Sequence, residues 1–180
     1  MSFSIRLSTL SDAPTIAALG ARLFVQAYGP THPEPELSRY LARAFSVERF
    51  ERELADPDVR ILLAEFAAGT PIGYAHLRVT RGASPEGVPP GQAVEIVRFY
   101  VDAAWHGKGV AGELMNACEH EARALGGDAL WLSVWQKSPR PQAFYRRTGL
   151  SIVGTTTFAF GDRLDADYVM ARPLLPAVTS

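Results

Sequence analysis

The chain has 180 residues, 47% of them hydrophobic and 21% charged, with a formal net charge of −1. That length buries the core of one domain spanning 1–180, and the near-zero charge removes the electrostatic reason to expect nucleic acid. One cysteine, Cys118, excludes an internal disulfide framework and a cysteine-based zinc site.

The first residues lack the apolar run of a signal peptide, and no apolar run reaches the ~20 residues of a membrane span. The expectation is a soluble, cytoplasmic domain with no membrane partner. Phe3–Leu7 alternates as a short strand. Ser11 is placed to cap a helix through about Ala27, with Gly29 beyond its end. A two-piece second helix follows, Glu36–Phe45 and a Ser46-capped Val47–Ala55, ended by Pro57. Val59–Phe66 and Ile72–Thr80 read as a hairpin. Residues 81–93, with three prolines and three glycines, read as a loop.

An apolar strand, 94–101, then crosses a short turn into a helix from about Gly109 to Leu125, with Val110, Leu114, Cys118, Ala122 and Leu125 on one face. Leu130–Val134 is a buried strand. Ser138-Pro139 opens a helix through about Thr148. Ser151–Phe160 and Asp167–Arg172 are closing strands joined at Gly161-Asp162, and the tail from Pro173 is expected to fray. The order β-α-α-β-β-β-α-β-α-β-β puts three strands in succession. It therefore predicts an α/β (α+β) mixed sheet with helices on both faces, not a doubly wound parallel one.

The stretch 94–112 carries the chemistry. A strand that runs into a glycine-rich helix start offers free N–H groups and the positive end of a helix dipole to a phosphate. Gly107-Lys108-Gly109-Val110-Ala111-Gly112 spells the dinucleotide pattern, but five residues, Asp102–His106, separate it from its strand, and Asp128 precedes the next strand where an acid should follow it. No Gly-Lys-Ser/Thr stands at the offset of a Walker loop.

Tyr100-Val-Asp-Ala-Ala-Trp-His-Gly-Lys-Gly-Val-Ala111 instead resembles motif A of the GNAT N-acetyltransferases, with Gly109 and Ala111 on its last two fixed positions and His106 where Gln or Arg is usual. Trp135–Leu150 resembles their motif B through Phe144, Tyr145 and Gly149, with Ser138 and Pro141 in place of the usual Asn and Ala. The C-terminal strands, Phe158–Asp162 and Asp167–Met170, are similar to those of the bacterial spermidine/spermine N-acetyltransferases.

The resemblance implies a GNAT fold that transfers acetyl directly from acetyl-CoA to a primary amine, polyamines first, with no metal and as a monomer or homodimer. It implies that the backbone of His106, Gly107, Lys108, Gly109, Val110, Ala111 and Gly112 holds the pyrophosphate. It further implies that Phe99, Tyr100 and Val101 pair with pantetheine, and that Tyr145 protonates the thiolate. Glu95 falls where one branch of the family keeps its general base; the alternatives are a water chain for the base and an arginine salt bridge for Glu95. Ser138 either bonds the coenzyme arm in place of Asn or simply caps its helix.

Two other functions compete: acetylation of a protein lysine, N-terminus or antibiotic amine, and non-catalytic acyl-CoA binding. Specificity is expected from residues 29–58 and 81–93. His32, His76 and His120 lack metal-ligand spacing, Cys118 reads as a small core hydrophobe, and Trp105, Trp131 and Trp135 read as packing.

Overall fold

The structure is a computed structural model that describes residues 2–161 and 163–174. Its strands are β1 (Phe3–Leu7), β2 (Val59–Phe66), β3 (Thr70–Val79), β4 (Ala93–Val101), β5 (Ala129–Trp135), β6 (Ser151–Phe160) and β7 (Arg163–Pro173). Its helices are α1 (Ala13–Tyr28), α2 (Glu36–Ala44), α3 (Val47–Ala55), α4 (Val110–Ala124) and α5 (Pro139–Arg147). Among the described residues the strands form one seven-stranded sheet in the order β1-β2-β3-β4-β5-β7-β6. Only β4 and β5 pair in parallel; the other neighbours are antiparallel. This is the mixed sheet predicted from three successive strands.

Two apolar layers hold it. On one face, Leu114, Met115, Cys118 and Ala122 of α4 pack with Leu77, Val94, Ile96, Leu130 and Leu132. On the other, Ile16, Leu19, Leu23 and Phe24 of α1 and Phe50 of α3 pack with Ile61, Leu63 and Tyr74. Cys118 is fully buried, and burial pushes its thiol far above the ordinary range, so it is the inert core residue expected.

Several boundaries differ from the sequence reading for local reasons. Ser11 does not cap α1. Thr9 opens a 3-10 turn, Leu10–Asp12, where its N–H donates to the Asp12 carboxylate at 2.7 Å, and that turn leads into α1 with Pro14 at its start. Gly29 does lie just past the end of α1, as its C-cap, but with a helical φ of −48° rather than a left-handed one, so the chain continues as a second 3-10 turn, Gly29–Thr31. Ser46 does cap α3, accepting from the Arg49 N–H at 3.2 Å. β7 begins at Arg163 rather than Asp167, because its first residues continue the ladder with β6, Arg163 opposite Phe160 and Asp165 opposite Phe158. Pro173 still belongs to β7 and Leu174 is buried; Asp162 and residues 175–180 lie outside the described residues.

The feature that makes a site is where pairing stops. β4 and β5 are in register only over Ala93–Glu95 and Ala129–Trp131. Both strands continue, to Val101 and to Trp135, without pairing to each other, while β3 and β7 still pair with their outer edges. Just past this point the register between β3 and β4 shifts: His76 faces Arg98 and Leu77 faces Ile96, which leaves Val97 as the extra residue of a bulge. A bulge bends its strand and increases twist, so β4 turns away from β5.

Gly20 sets how closely α1 can lie over this bent sheet. A Cβ there would stand 2.6 Å from Phe45 Cδ1 and 2.8 Å from the Tyr74 hydroxyl. Gly20→Ala is expected to destabilise the protein by about 1–3 kcal/mol through overpacking, read as a lower urea midpoint; an unchanged midpoint would mean α1 is free to shift.

Candidate active site

The parting of β4 and β5 opens a cavity of about 780 Å³. Its walls are Ile96–Val101 of β4 and Leu132–Trp135 of β5, so it passes between the strands and is lined from both faces of the sheet. Strand backbone that has lost its neighbour must find other partners. A ligand with amide groups laid between β4 and β5 would restore the missing pairing, which is the role the family resemblance implies for Phe99, Tyr100 and Val101.

At the open end of the gap lies the turn into α4. Gly109 stands at the helix N-cap with φ +87°, and Gly107 has φ +76°. Space around both is open, since a Cβ at Gly107, Gly109 or Gly112 would meet no heavy atom within 4 Å. The first-turn N–H groups of Val110, Ala111 and Gly112 have no intrahelical acceptor. The Val110 side chain is itself fully buried, so that residue offers only backbone. Lys108 reaches sideways, its ammonium 5.1 Å from the Trp105 ring centroid.

The His106 ring turns back toward the sheet. Its Nε2–H donates to the Val101 carbonyl at 2.9 Å, which fixes the tautomer and ties the phosphate turn to the last residue of β4. Arg140 and Arg147 of α5 also line the cavity. The coenzyme's fit therefore rests on an open turn with free donors, two arginines and an unpaired strand edge.

On the α4 and α5 side, Tyr145 is 8% exposed and lines the cavity. Its ring stands edge-on to Phe99 at 6.2 Å and to Phe144 at 5.5 Å. Burial raises its phenol well above the ordinary tyrosine range, so it carries its proton at neutral pH. Gln142 is buried beside it, donating to the carbonyls of Trp135 at 3.1 Å and Gln136 at 3.0 Å, which fastens α5 to the end of β5.

The opposite side is aromatic. Phe24, Tyr28, His32, Tyr40, Trp135 and Phe158 line it, drawn from α1, the turn after it, α2, β5 and β6. Two ties pin α1 to the turn leading into α4: Arg22 to the Asp102 carboxylate, and the Ala103 N–H to Gln26 Oε1 at 3.0 Å. Arg98 reaches back from β4 to α2 and α3. It donates to the Ala44 carbonyl at 3.1 Å, to Glu53 at 3.3 Å and to His76 Nδ1 at 3.1 Å, and lies over the rings of Phe45 and Phe50. His76 is thus a core partner of Arg98; burial, more than the nearby arginines, pushes its pKa well below the usual value, so it stays neutral.

Asp165 and Asp167 complete this wall. Asp165 is taken up by Arg163, which donates to it at 2.8 and 2.9 Å. Asp167 is 6% exposed, and among the described residues no arginine, lysine or histidine pairs with it. Burial raises its carboxyl to about 6, with Asp165 adding to the effect and the Ser133 hydroxyl opposing it.

Three residues singled out in the sequence stand elsewhere or act differently. Glu95 is absent from the lining; it accepts from Arg78 at 2.8 Å across β3 and β4, the salt-bridge alternative. Ser138 makes no side-chain cap bond to α5 and does not line the cavity. Trp135 is a wall of the site rather than packing alone. Residues 29–58 do reach the cavity through His32, Tyr40, Arg43, Ala44 and Arg49, but residues 81–93 do not. Val88 instead packs beyond it, against Ala93, Trp131 and Val169.

The β6–β7 hairpin reads in the sequence only as closing strands, yet it forms a wall of the cavity. A signal for this is present: Asp165 and Asp167 share the alternation phase of Val169 and Ala171, which are buried, and a carboxylate in the buried phase of a strand is an anomaly.

Residues 22–150 match the model of the acetyltransferase (GNAT) family. An uncharacterized N-acetyltransferase of Mycobacterium tuberculosis is 36% identical over 92% of this chain and 100% of its own length. One from Lactobacillus delbrueckii subsp. lactis is 24% identical over 91% of this chain and 93% of its own. The crystal structure of PaiA N-acetyltransferase from Thermoplasma acidophilum in complex with coenzyme A superposes with a TM-score of 0.77 at 20% identity, covering 96% of this chain and 99% of that one.

The glycines give a direct test of the turn. Gly112→Ala lies in a helix with room for its Cβ, so it should raise stability by roughly 1 kcal/mol while increasing the KM for acetyl-CoA. Gly109→Ala must hold φ +87° and should cost about 1–2 kcal/mol. An unchanged KM in Gly112→Ala, measured by steady-state thiol release, would take the pyrophosphate away from this turn.

Proposed function

This chain belongs to the acetyltransferase (GNAT) family and is an acetyl-CoA-dependent N-acetyltransferase, and from that premise we propose that its acceptor is the primary amine of a small molecule bound in the aromatic half of the cavity. The observation that carries this reading is the division of one cavity by the splayed strands. The glycine turn, unpaired strand edges and Tyr145 lie toward one side, and a ring-lined recess with a buried carboxylate lies toward the other. Acetyl-CoA threads between β4 and β5 with its pyrophosphate on the N–H groups of Gly107–Gly112. The thioester comes to rest near Phe99–Val101, where a backbone N–H stabilises the oxyanion. The neutral amine attacks the thioester carbon, the C–S bond breaks, and Tyr145 gives its proton to the sulfur.

Transfer is direct. The one cysteine lies buried under α4 and does not line the cavity, so no thiol of the chain stands ready to carry the acetyl group. Polyamines lead among the acceptors inferred from the sequence, and the lining narrows that reading. Among the described residues the recess offers one carboxylate free of an arginine, Asp167, while Arg43, Arg49 and Arg98 also line it. One ammonium group is matched there; a row of them is not. An amine with a single cationic head and an apolar or aromatic body fits best, since rings attract such a cation.

The experiment is thiol release from acetyl-CoA across a panel of aromatic monoamines, spermidine and lysine peptides. Monoamines are expected to lead. Faster release with spermidine would restore the polyamine reading, and faster release with peptides would move the acceptor to protein. Coenzyme binding with no release from any amine would leave a non-catalytic acyl-CoA binder. Tyr145→Phe should reduce kcat by about 100-fold or more, with the Kd for acetyl-CoA, measured by calorimetry, changed less than about twofold; retained turnover would remove Tyr145 from the chemistry.

A further inference from the structure

We propose that Asp167 is the general base of the transfer: the ammonium group of the acceptor docks on its carboxylate, between the rings of Tyr28, His32 and Trp135, and loses a proton to it. The inference rests on the acetyl-transfer reading above and replaces Glu95, which faces Arg78 and lies outside the cavity. Three observations converge on Asp167. It lines the same cavity as Tyr145 but belongs to the opposite, ring-lined side. It is 6% exposed with no cationic partner among the described residues, whereas its neighbour Asp165 is held by Arg163 in two hydrogen bonds. Aromatic rings gather around it: Trp135 is its register partner in β5, and Tyr28 and His32 stand 6.5 and 6.1 Å from the Trp135 ring. A buried carboxylate without a cation is costly. A charged amine entering the recess supplies the missing partner, and the rings add cation–π attraction.

The step balances without a further reagent. The acceptor arrives as R–NH3⁺, since an alkylamine has a pKa near ~10. Asp167 takes one proton and later releases it to solvent. The nitrogen lone pair forms the C–N bond, and the C–S electron pair leaves with sulfur. Tyr145 protonates that sulfur, and the second proton lost from nitrogen as the amide forms restores the phenol. A carboxyl raised to about 6 by its burial is ionised at pH 7.5, yet basic enough to take a proton in the transition state.

The charged and titratable groups around the recess of Asp167 are Asp165 and Arg163 of β7, Tyr28 of α1, His32 of the following turn, Tyr40 and Arg43 of α2, Arg49 of α3 and Arg98 of β4. Burial foremost pushes the Tyr28 phenol up to about 12. His32 is therefore the group to separate from Asp167 in any pH profile.

Asp167→Asn in the full chain is the test. With an alkylamine acceptor that the wild type acetylates, kcat/KM for the amine should fall about 100-fold or more, with the acetyl-CoA Kd unchanged. The rise of kcat/KM with pH near 6 should disappear in Asp167→Asn and persist in His32→Gln. An acceptor already neutral at pH 7.5, such as a hydrazide, should be acetylated by wild type and Asp167→Asn within about threefold of each other, because it needs no base.

Stability provides an independent readout. The folded pKa of Asp167 lies above its unfolded value, so the fold disfavours the ionised form, and this penalty is present above about pH 6 and fades as the pH falls through 6. Asp167→Asn should therefore have a Tm at pH 8 equal to or above that of wild type, the difference shrinking toward pH 4. A lower Tm at pH 8, equal losses with alkylamine and hydrazide, or an intact pH limb would each overturn the proposal. If wild type acetylates no amine at all, the failure belongs to the function reading and not to Asp167.

Discussion

The whole site follows from a pair of strands that stop pairing. Parallel neighbours normally bond along their length, yet β4 and β5 share three residue pairs and then separate. The bulge at Val97 explains the departure on one side, and Gln142, gripping the carbonyls of Trp135 at the end of β5 and of Gln136 just beyond it, holds the other strand where it ends. Unpaired backbone inside a protein is a cost, and here it becomes a binding edge. Everything else is arranged along that opening: the glycine turn at its mouth, the phenol on one side, the rings and carboxylate on the other.

The two halves obey different electrostatics. At the turn, helix N–H groups and the cations of Arg140 and Arg147 suit a ligand of several negative charges. In the recess, Arg163 cancels Asp165 and Glu53 occupies both Arg98 and Arg49, so most of the charge nearby is already committed to holding the walls. Among the described residues, Asp167 is the lining carboxylate left without a cation, and Arg43 is the arginine of the recess left without an acid. A recess lined by arginines can still receive a cation where most of them are bound to something else.

Much of this is legible in the amino-acid sequence. Periodicity and turn residues together locate every strand and α-helix, most clearly where an element buries one face, as α1 and α4 do. The open geometry of the turn at Gly107–Gly112 can be read because it belongs to the backbone, and glycine in a sequence marks backbone directly. Glu95 misleads for the complementary reason: its strand position is right, but whether a carboxylate meets a cavity or an arginine depends on Arg78, a partner seventeen residues away across a ladder with a bulge. Ser138 shows the same limit, standing at a helix start where its carbonyl accepts the Gln142 N–H but its side chain makes no cap bond. The recess is hidden because its walls come from several separate elements, and no local spacing announces that Tyr28, Tyr40, Trp135 and Asp167 will meet.

His106 is a small departure from the family pattern with a wider effect. Its ring bonds to the carbonyl of Val101, the final residue of the strand that lies along the opening. The loop that would grip the coenzyme and the strand that would align it are therefore linked by one imidazole, and Arg22 and Gln26 extend the linkage to α1. The turn, the free edge of β4 and α1 are thus joined by side-chain bonds into a single frame. A substitution at His106 would therefore loosen the turn and the end of the strand together.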